Sequence, residues 1–211
     1  MAFSMTPCGY DLLMTFAMTS QQNTNVNDTH HHTLNDVLDF WFEQSTPKQW
    51  FNKSRSFDEA IAWRFAGLVH AALAGQLRGE PDGSEDCLAL ILVLDQFPRH
   101  IFRGTPQAFD GDKQALRLSQ FAVASGWLDQ TVQPSHRQFL LMPMMHSEDV
   151  KVQHASLPLF ERYTDASTFW FAKRHCEIIE RFGRFPHRNG VLGRVSSADE
   201  IEFLKQPGSS F

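Results

Sequence analysis

The sequence predicts an all-α protein, an array of antiparallel helix pairs. Apolar residues recur every three or four positions through most of the 211-residue chain, and Ser, Thr or Asp residues precede several of these stretches as helix caps. No segment alternates polar and apolar residues between turn signals, as a β-sheet would require. The connections between the predicted helices are short, and short connections favour antiparallel neighbours.

Capping residues, glycine and proline mark several ends of the first three predicted helices. Thr33 caps the first helix, and Gly75 ends the second. Ser84 caps the third, which is apolar on every side from residue 87 to residue 94, as expected for a buried helix. Pro98 is predicted to end this third helix. The second helix has an apolar stripe at helical spacing: Phe57, Ile61, Phe65, Leu68 and Ala72.

The second half of the chain predicts five more helices. Pro143 is predicted to interrupt one of them and Pro158 to kink or split another, because proline lacks the N–H that a helix interior uses. Ser147 is the predicted cap of the helix that contains Pro158, with Glu148 and Asp149 in its first turn. The predicted starts and ends, in order, are Asp112–Ser125, Ser135–Pro143, Ser147 onward, Thr168–Phe182 up to Gly183, and a short last helix from Ser196 or Ser197.

Composition limits the class of function. The net charge of −5 argues against a nucleic-acid partner, which attracts basic proteins. The apolar run of residues 12–18 is too short to cross a bilayer, and no Lys or Arg precedes Lys48, so the basic start of a signal peptide is missing. The cysteines Cys8, Cys87 and Cys176 are odd in number and far apart, which favours a reducing compartment. We therefore expect a cytoplasmic protein without membrane or nucleic-acid partners.

Residues 1–32 are predicted to be a disordered N-terminal extension of a single domain over residues 33–211. The tract of residues 19–29 is polar and rich in Ser, Thr, Gln and Asn, so it has too little apolar surface to offset the entropy of ordering. The adjacent histidines His30–His32 lie in the same extension and are weak evidence for a metal site.

Four segments concentrate the residues that could carry chemistry. They are Asp95–Arg99, Met142–Asp149, His175 on its helix, and Arg181–Asn189. The first and last contain a short echo, because Phe97-Pro98 and Phe185-Pro186 each follow a helix and are each followed by basic residues.

These motifs, in this order, resemble the bacterial domain-of-unknown-function family 924. The resemblance extends over residues 36–211, and its most specific parts are Leu94–Arg99 with Ile101–Thr105 and Arg181–Asn189. It implies an all-helical fold similar to tetratricopeptide-type arrays. It implies no established activity, so the function must be argued from the residues themselves.

The basic residues near the C-terminus predict a small-anion site. Between Lys173 and Arg194 there are six Lys or Arg residues and only two Glu residues. Pro186 stiffens the turn that carries several of these basic residues. Arginine matches phosphate and carboxylate groups with a planar fork of N–H donors. The predicted ligand-binding residues are Asp95, Arg99, Arg174, Arg181, Arg184, Arg188 and Asn189. The alternative is a buried ionic network in which the arginines pair with Asp95, Glu148 and Asp149.

Catalysis, where it occurs, is predicted to be acid–base chemistry. The candidate catalytic residues are His146, His175, His187 and Glu148. His175 lies at the centre of the apolar arc of its helix, so it is either a pocket histidine or a core histidine bonded to a carbonyl or carboxylate. We expect no metal, because the candidate catalytic set matches no zinc-ligand spacing, and no cofactor, because the chain has no Walker loop or dinucleotide fingerprint.

Two functions of different classes remain open. The first is an Arg/His-lined pocket for a phosphorylated or carboxylated small molecule, with an enzyme as one form of it. The second is a helical-array interaction module that binds a peptide or a protein partner. Convergence of the predicted arginines and histidines around one site favours the first, and an open groove lined by aromatic residues favours the second.

Overall fold

A computed structural model describes residues 34–77 and 80–210, and it confirms the all-α class, since this part of the chain contains helices and no strand. The predicted extension, residues 1–32, and the predicted cap Thr33 lie outside the described residues. The helices, in chain order, are α1 (34–38, continued by a π-helical turn, Asp39–Glu43), α2 (Pro47–Phe51), α3 (Arg55–Leu73), α4 (Ser84–Ile91, continued by a π-helical turn, Leu92–Gln96), α5 (Phe97–Ile101), α6 (Asp112–Ala124), α7 (Trp127–Gln130), α8 (Pro134–Met145), α9 (Val150–Tyr163), α10 (Ala166–Phe182) and α11 (Ala198–Leu204). Short 3-10 turns lie at Pro106–Phe109 and Pro186–Arg188.

Aromatic rings form the centre of the main core. Trp41 stacks on Trp50 with 5.8 Å between ring centroids, and its other neighbours include Phe97 at 5.6 Å and Phe139 at 5.5 Å. Trp41, Phe97 and Phe139 are fully buried. This aromatic core ties α1, α2, α5 and α8 together. A smaller core of Ile178, Ile179, Phe185 and Phe203 joins α10 to the C-terminal segment.

Pro98 does not end the helix, contrary to the sequence prediction. It lies in the first turn of α5, where a missing N–H costs nothing, and the π-helical turn before it carries the chain on from α4. Pro98 cannot donate to the Leu94 carbonyl four residues earlier. Gly111 packs directly on that carbonyl, and a Cβ on Gly111 would lie only 2.1 Å from the Leu94 oxygen. This close approach brings the start of α6 against α4 and α5.

Pro143 and Pro158 do not break their helices either, so the predicted interruption at Pro143 and the predicted split at Pro158 are wrong. Pro143 lies inside α8, near its end, where residues 139–145 are buried and core packing outweighs one lost hydrogen bond. Pro158 lies inside α9. It and His154, whose carbonyl would have accepted its N–H, are both exposed, so water can satisfy that carbonyl.

Local capping rules predicted some helix ends and missed others. Gly183 ends α10 with a φ of 67°, a left-handed conformation that glycine adopts without strain. Ser197 and Glu200 form a reciprocal capping box at the start of α11, which decides between the two predicted starts, Ser196 and Ser197. The cap of α9 is Asp149, whose carboxylate accepts from the Lys151 N–H, and Ser147 lies two residues too early.

Two further predicted helix starts are displaced, one by one residue and the other by two. α4 begins after Gly83, so Ser84 is its first residue instead of its cap. α10 begins at Ala166 instead of Thr168, because the Asp165 carboxylate caps it by accepting from the Thr168 N–H at 2.8 Å. α9 and α10 run antiparallel, since His154 near the start of α9 contacts Glu180 near the end of α10. No helix in the described ranges is long and apolar enough to cross a membrane.

Candidate functional site

Five charged or polar side chains from four parts of the chain meet in one group, which we call the ionic cluster. Its members are Asp95 and Arg99 from the helix α4–α5, Asp112 at the start of α6, His146 at the end of α8, and Arg188 from the 3-10 turn before α11. The sequence predicted four of them as site residues. The fold brings them together because Gly111 lets α6 approach the Leu94 carbonyl, which places Asp112 opposite α5.

Asp112 is shared by two arginines. Its Oδ1 lies 3.0 Å from the Arg99 Nη2, and its Oδ2 lies 3.0 Å from the Arg188 Nη1. Arg99 and Arg188 come from the two Phe-Pro motifs that echo one another in the sequence. In both motifs the phenylalanine is fully buried and the arginine follows within three residues. The echo therefore presents two guanidinium groups to one carboxylate.

Asp95 is the most deeply buried carboxylate of the ionic cluster, with no exposed surface. The Nδ1–H of His146 donates to its Oδ1 at 2.7 Å, and the Arg99 Nη2 lies 3.2 Å from the same oxygen. Burial alone would raise the pKa of Asp95, but Arg99 and the hydrogen bond from His146 hold that pKa below its ordinary value. Asp95 is therefore ionised at neutral pH and fixes the orientation of the His146 ring.

Arg188 is 7% exposed and lies between two aromatic rings. Its guanidinium carbon is 4.7 Å from the ring centroids of both Phe109 and Phe185. Its Nη2 donates to the His146 carbonyl at 3.1 Å. Its Nε–H is buried and has no hydrogen-bond partner within the described ranges. Burial and the neighbouring charge of Arg99 lower the pKa of Arg188 to about 10, so it remains a cation at pH 7.

The three candidate histidines lie close to one another and are neutral at pH 7. The ring centroids of His146 and His175 are 6.2 Å apart, and Phe185 lies next to both His175 and His187. Burial, reinforced by nearby cationic groups, lowers the pKa of His175 to about 3 and that of His187 to about 4. The pKa of His146 is also lowered, mainly by burial. The inward position predicted for His175 agrees with its exposed fraction of 5%, and its Nδ1–H donates to the Phe171 carbonyl at 2.8 Å.

Glu148 forms a second ion pair beside the ionic cluster. Its carboxylate accepts from both terminal nitrogens of Arg194, at 2.7 and 3.0 Å, and from the Phe185 N–H at 2.8 Å. Burial would raise the pKa of Glu148, but these hydrogen bonds hold it below its usual value. Glu148 is thus an ionised anchor for the turn that carries Arg188.

The remaining predicted site residues lie apart from the ionic cluster. Arg174 pairs with Glu177 on the surface of α10, and the Arg181 guanidinium lies over the Phe182 ring. Arg184 pairs with Glu200 at 2.7 Å. Asn189 is buried and donates to the Ser196 hydroxyl at 3.0 Å. Of these contacts, the Arg184–Glu200 pair holds the segment after α10 against α11.

Sequence reasoning missed Asp112 and Arg194 as site residues. Asp112 is an acidic residue in the first turn of α6, where such residues commonly stabilise the helix. Because this role explains the residue fully, the sequence gives no sign that Asp112 also pairs with two arginines. Arg194 is the last residue of the basic segment near the C-terminus, but nothing local indicates that it faces Glu148. Asp149, predicted as a network partner, is a helix cap instead.

A cavity of about 210 Å³ lies elsewhere, between the start of α4 and the segment before α8. Its lining residues include Glu85, Thr131 and His136, and it contains no residue of the ionic cluster.

Comparisons with known proteins agree with the fold and supply no activity. A family model described as "Bacterial protein of unknown function (DUF924)" matches residues 37–208. A solved structure of a protein of unknown function from Agrobacterium tumefaciens is 35% identical in sequence, with a TM-score of 0.78, and covers 83% of this chain and 98% of that one. No curated protein matches the chain.

Proposed function

Because this chain belongs to the bacterial DUF924 family, whose description states no function, we propose one from the geometry of the ionic cluster: the protein binds a small anionic molecule, phosphorylated or carboxylated, through Arg99 and Arg188. The two guanidinium groups meet at Asp112, which lies 76 residues before Arg188 in the sequence. The proposal includes a cytoplasmic location, in keeping with the free thiols of Cys87 and Cys176.

The buried Nε–H of Arg188 is the observation that carries this proposal. A buried donor without a partner costs about 1–3 kcal/mol, and more when the group is charged. Arg188 bears that cost while it shares Asp112 with a second cation. An anion at this point would accept from the Arg188 Nε–H. Arginine forks of this kind favour phosphate and carboxylate over neutral ligands.

The ionic cluster is partly open to solvent, as a binding site must be. The side chains of Arg99 and Asp112 are 20% and 21% exposed, and that of His146 is 15% exposed. A small anion reaching these edges would meet the arginines before the buried Asp95. That carboxylate is screened from a ligand by Arg99 and His146, which it holds in place.

His146 is the residue we assign to proton exchange if the bound anion is a substrate. Its Nδ1–H donates to Asp95, so its Nε2 carries the lone pair. Its lowered pKa keeps the ring neutral, which is the form a general base needs. Arg99 and Arg188 would stabilise negative charge that develops on the ligand.

The test is a thermal-shift screen of the full chain with inorganic phosphate, phosphate monoesters, and di- and tricarboxylates. A ligand present at about 100 times its Kd stabilises the folded state by about 2.7 kcal/mol. For a domain of this size each kcal/mol raises Tm by about 2–4 °C. Arg188→Met keeps an unbranched side chain between Phe109 and Phe185 but removes the guanidinium, so we expect it to abolish the shift.

The matched control is Arg174→Met, which removes an arginine from the surface of α10 and should leave the shift intact. In the competing ionic-network function, Arg188 serves stability alone. In that case no anion would raise the Tm of the unmodified chain, and Arg188→Met would only lower the unfolding free energy. Asp112 keeps Arg99 in this variant, so our proposal expects a loss of about 1 kcal/mol, the net contribution of an ordinary hydrogen bond. A large loss of stability together with no ligand shift would reject the anion site.

The interaction-module function keeps one observation in its favour. Trp63 on α3 is 88% exposed, and Trp170 and Phe171, which contact each other on α10, are 54% and 43% exposed. Exposed aromatic side chains are common anchors in protein interfaces. Trp170→Ala should leave anion binding unchanged, so a ligand shift that depends on Trp170 would point to this surface instead of the ionic cluster.

A further inference from the structure

α9 and α10 bring three metal-ligating side chains together away from the ionic cluster. They are His154 on α9, and Cys176 and Glu180 on α10, and one ligand atom from each lies within 4.8 Å of the other two. Cys176 and Glu180 are four residues apart, so they lie on one face of α10, one helical turn from each other. His154 reaches them because α9 and α10 run antiparallel with only a short turn between them.

We propose that this triad, His154, Cys176 and Glu180, binds Zn²⁺ or a similar first-row cation such as Co²⁺, with a further coordination position open to water. Imidazole nitrogen, thiolate sulfur and carboxylate oxygen are the three donor types that zinc takes from proteins. Three protein ligands and one open position are typical of zinc sites that act on water or on a ligand, whereas closed structural sites have four protein ligands.

Burial and exposure at the triad suit a site that the cation can enter. Cys176 is 3% exposed, while the side chains of His154 and Glu180 are 56% and 51% exposed. The His154 Nε2 and Glu180 Oε1 lie 2.6 Å apart in a direct hydrogen bond. Metal ligands at about 2.0–2.3 Å from zinc stand farther apart than this, so these two side chains separate on binding. Because both are solvent-exposed, such a small movement requires no change in the core.

Local charge also favours a cation. Glu180 is in the triad, and Glu177 lies one residue from Cys176, where it is balanced by Arg174. Burial, with these two carboxylates, raises the pKa of the Cys176 thiol, so metal binding must displace its proton. An exposed His–Glu pair without a metal contributes little to stability. Stability alone therefore does not explain why His154 and Glu180 lie beside the Cys176 thiol.

The experiment uses the full chain after treatment with a chelator. Isothermal titration with Zn²⁺ should give one site per chain. Titration with Co²⁺ should give the visible absorption of tetrahedral cobalt together with a near-ultraviolet thiolate-to-cobalt band. His154→Ala and Cys176→Ser should each weaken Zn²⁺ binding by at least about tenfold, because losing even an outer partner of a ligand weakens affinity by about 10–100-fold. Cys176→Ser should also abolish the thiolate band, which a purely structural effect would not do selectively.

Two control variants separate this site from other metal-binding residues. The triple variant His30→Ala/His31→Ala/His32→Ala removes the N-terminal histidine run and should keep the Co²⁺ spectrum unchanged. Cys87→Ser, which alters a buried thiol that donates to the Leu118 carbonyl, should keep it as well. Loss of binding in the triple variant, or a Co²⁺ spectrum without a thiolate band in the unmodified chain, would overturn the proposal. Circular dichroism of each variant checks that it is folded.

Discussion

Two groups of aspartate, arginine and histidine side chains flank the same short helix, α5, and they differ in how completely their donors are satisfied. In the first group, the Asp58 carboxylate accepts from the Arg103 Nε and Nη2, both at 2.8 Å, and lies 2.7 Å from the His100 Nδ1. One carboxylate serves one arginine and one histidine. This Asp58 group is complete, and it joins α3 to α5.

The ionic cluster has the same residue types in a different balance. Asp112 serves two arginines, Asp95 serves Arg99 and His146, and the Arg188 Nε–H stays without a partner within the described ranges. Under the proposed function, this unpartnered N–H is the donor that an anion would use.

Removing Asp95 should have the largest effect. Asp95→Ala leaves the buried His146 without its carboxylate partner and removes one of the two carboxylates that pair with Arg99. Breaking a buried ion pair lowers the unfolding free energy by about 3–5 kcal/mol. Asp58→Ala should cost less, because Arg103 is 36% exposed and keeps its contact with water. Urea unfolding of both variants measures the difference. Equal losses would show that the two groups have the same structural weight.

A Cβ at Gly111 should disturb the ionic cluster through the backbone. Gly111→Ala places that atom 2.1 Å from the Leu94 oxygen, so α6 must move away and take Asp112 with it. Overpacking of this kind costs about 1–3 kcal/mol, and anion binding should fall with it. Gly67→Ala is the matched control, since nothing lies within 4 Å of its added Cβ. In the middle of α3 it should leave stability unchanged or raise it by about 1 kcal/mol.

Acid should weaken the fold through the buried histidines. The pKa of His175 is lowered to about 3 and that of His187 to about 4, so both are neutral in the folded state where the unfolded chain is protonated. The unfolding free energy therefore falls as pH drops from about 6.5 toward 4, with a slope of up to about 1.4 kcal/mol per pH unit for each histidine. His175→Gln should remove one such contribution to the slope.

Urea unfolding at several pH values between about 7 and 4 measures these slopes. The unmodified chain, measured in parallel at each pH, is the control. An unchanged slope in His175→Gln would mean that His175 is protonated in the folded protein.

Arg103→Gln should have the smallest effect. Its partner Asp58 retains His100, and Arg103 is at the surface, where ion pairs contribute about 0–1 kcal/mol. Phosphate binding in the thermal-shift screen should be unaltered. A loss of ligand binding in this variant would place the anion site at the Asp58 group and not at the ionic cluster.

The charged motifs of the sequence predict much of the ionic cluster. Asp95, Arg99, His146 and Arg188 are all predicted site residues, because each lies in a dense motif of charged residues at a helix end. Arg174, Arg181 and Arg184 are predicted for the same reason, and they lie elsewhere. Local composition shows where charge is concentrated but not which face of the fold receives it.

The helical class and the glycine end of α10 were predictable from the sequence alone, because they depend on residues within four positions of one another, whereas the cap of α11 stayed open between Ser196 and Ser197. Only the tertiary structure decided the pairing of Arg188 with Asp112 across 76 residues, and of His146 with Asp95 across 51. It also explains why the chain stays helical at Pro98, Pro143 and Pro158, since packing and solvent compensate for their missing N–H groups. The triad of His154, Cys176 and Glu180 has no signature in sequence spacing, because its members meet only where two antiparallel helices pack.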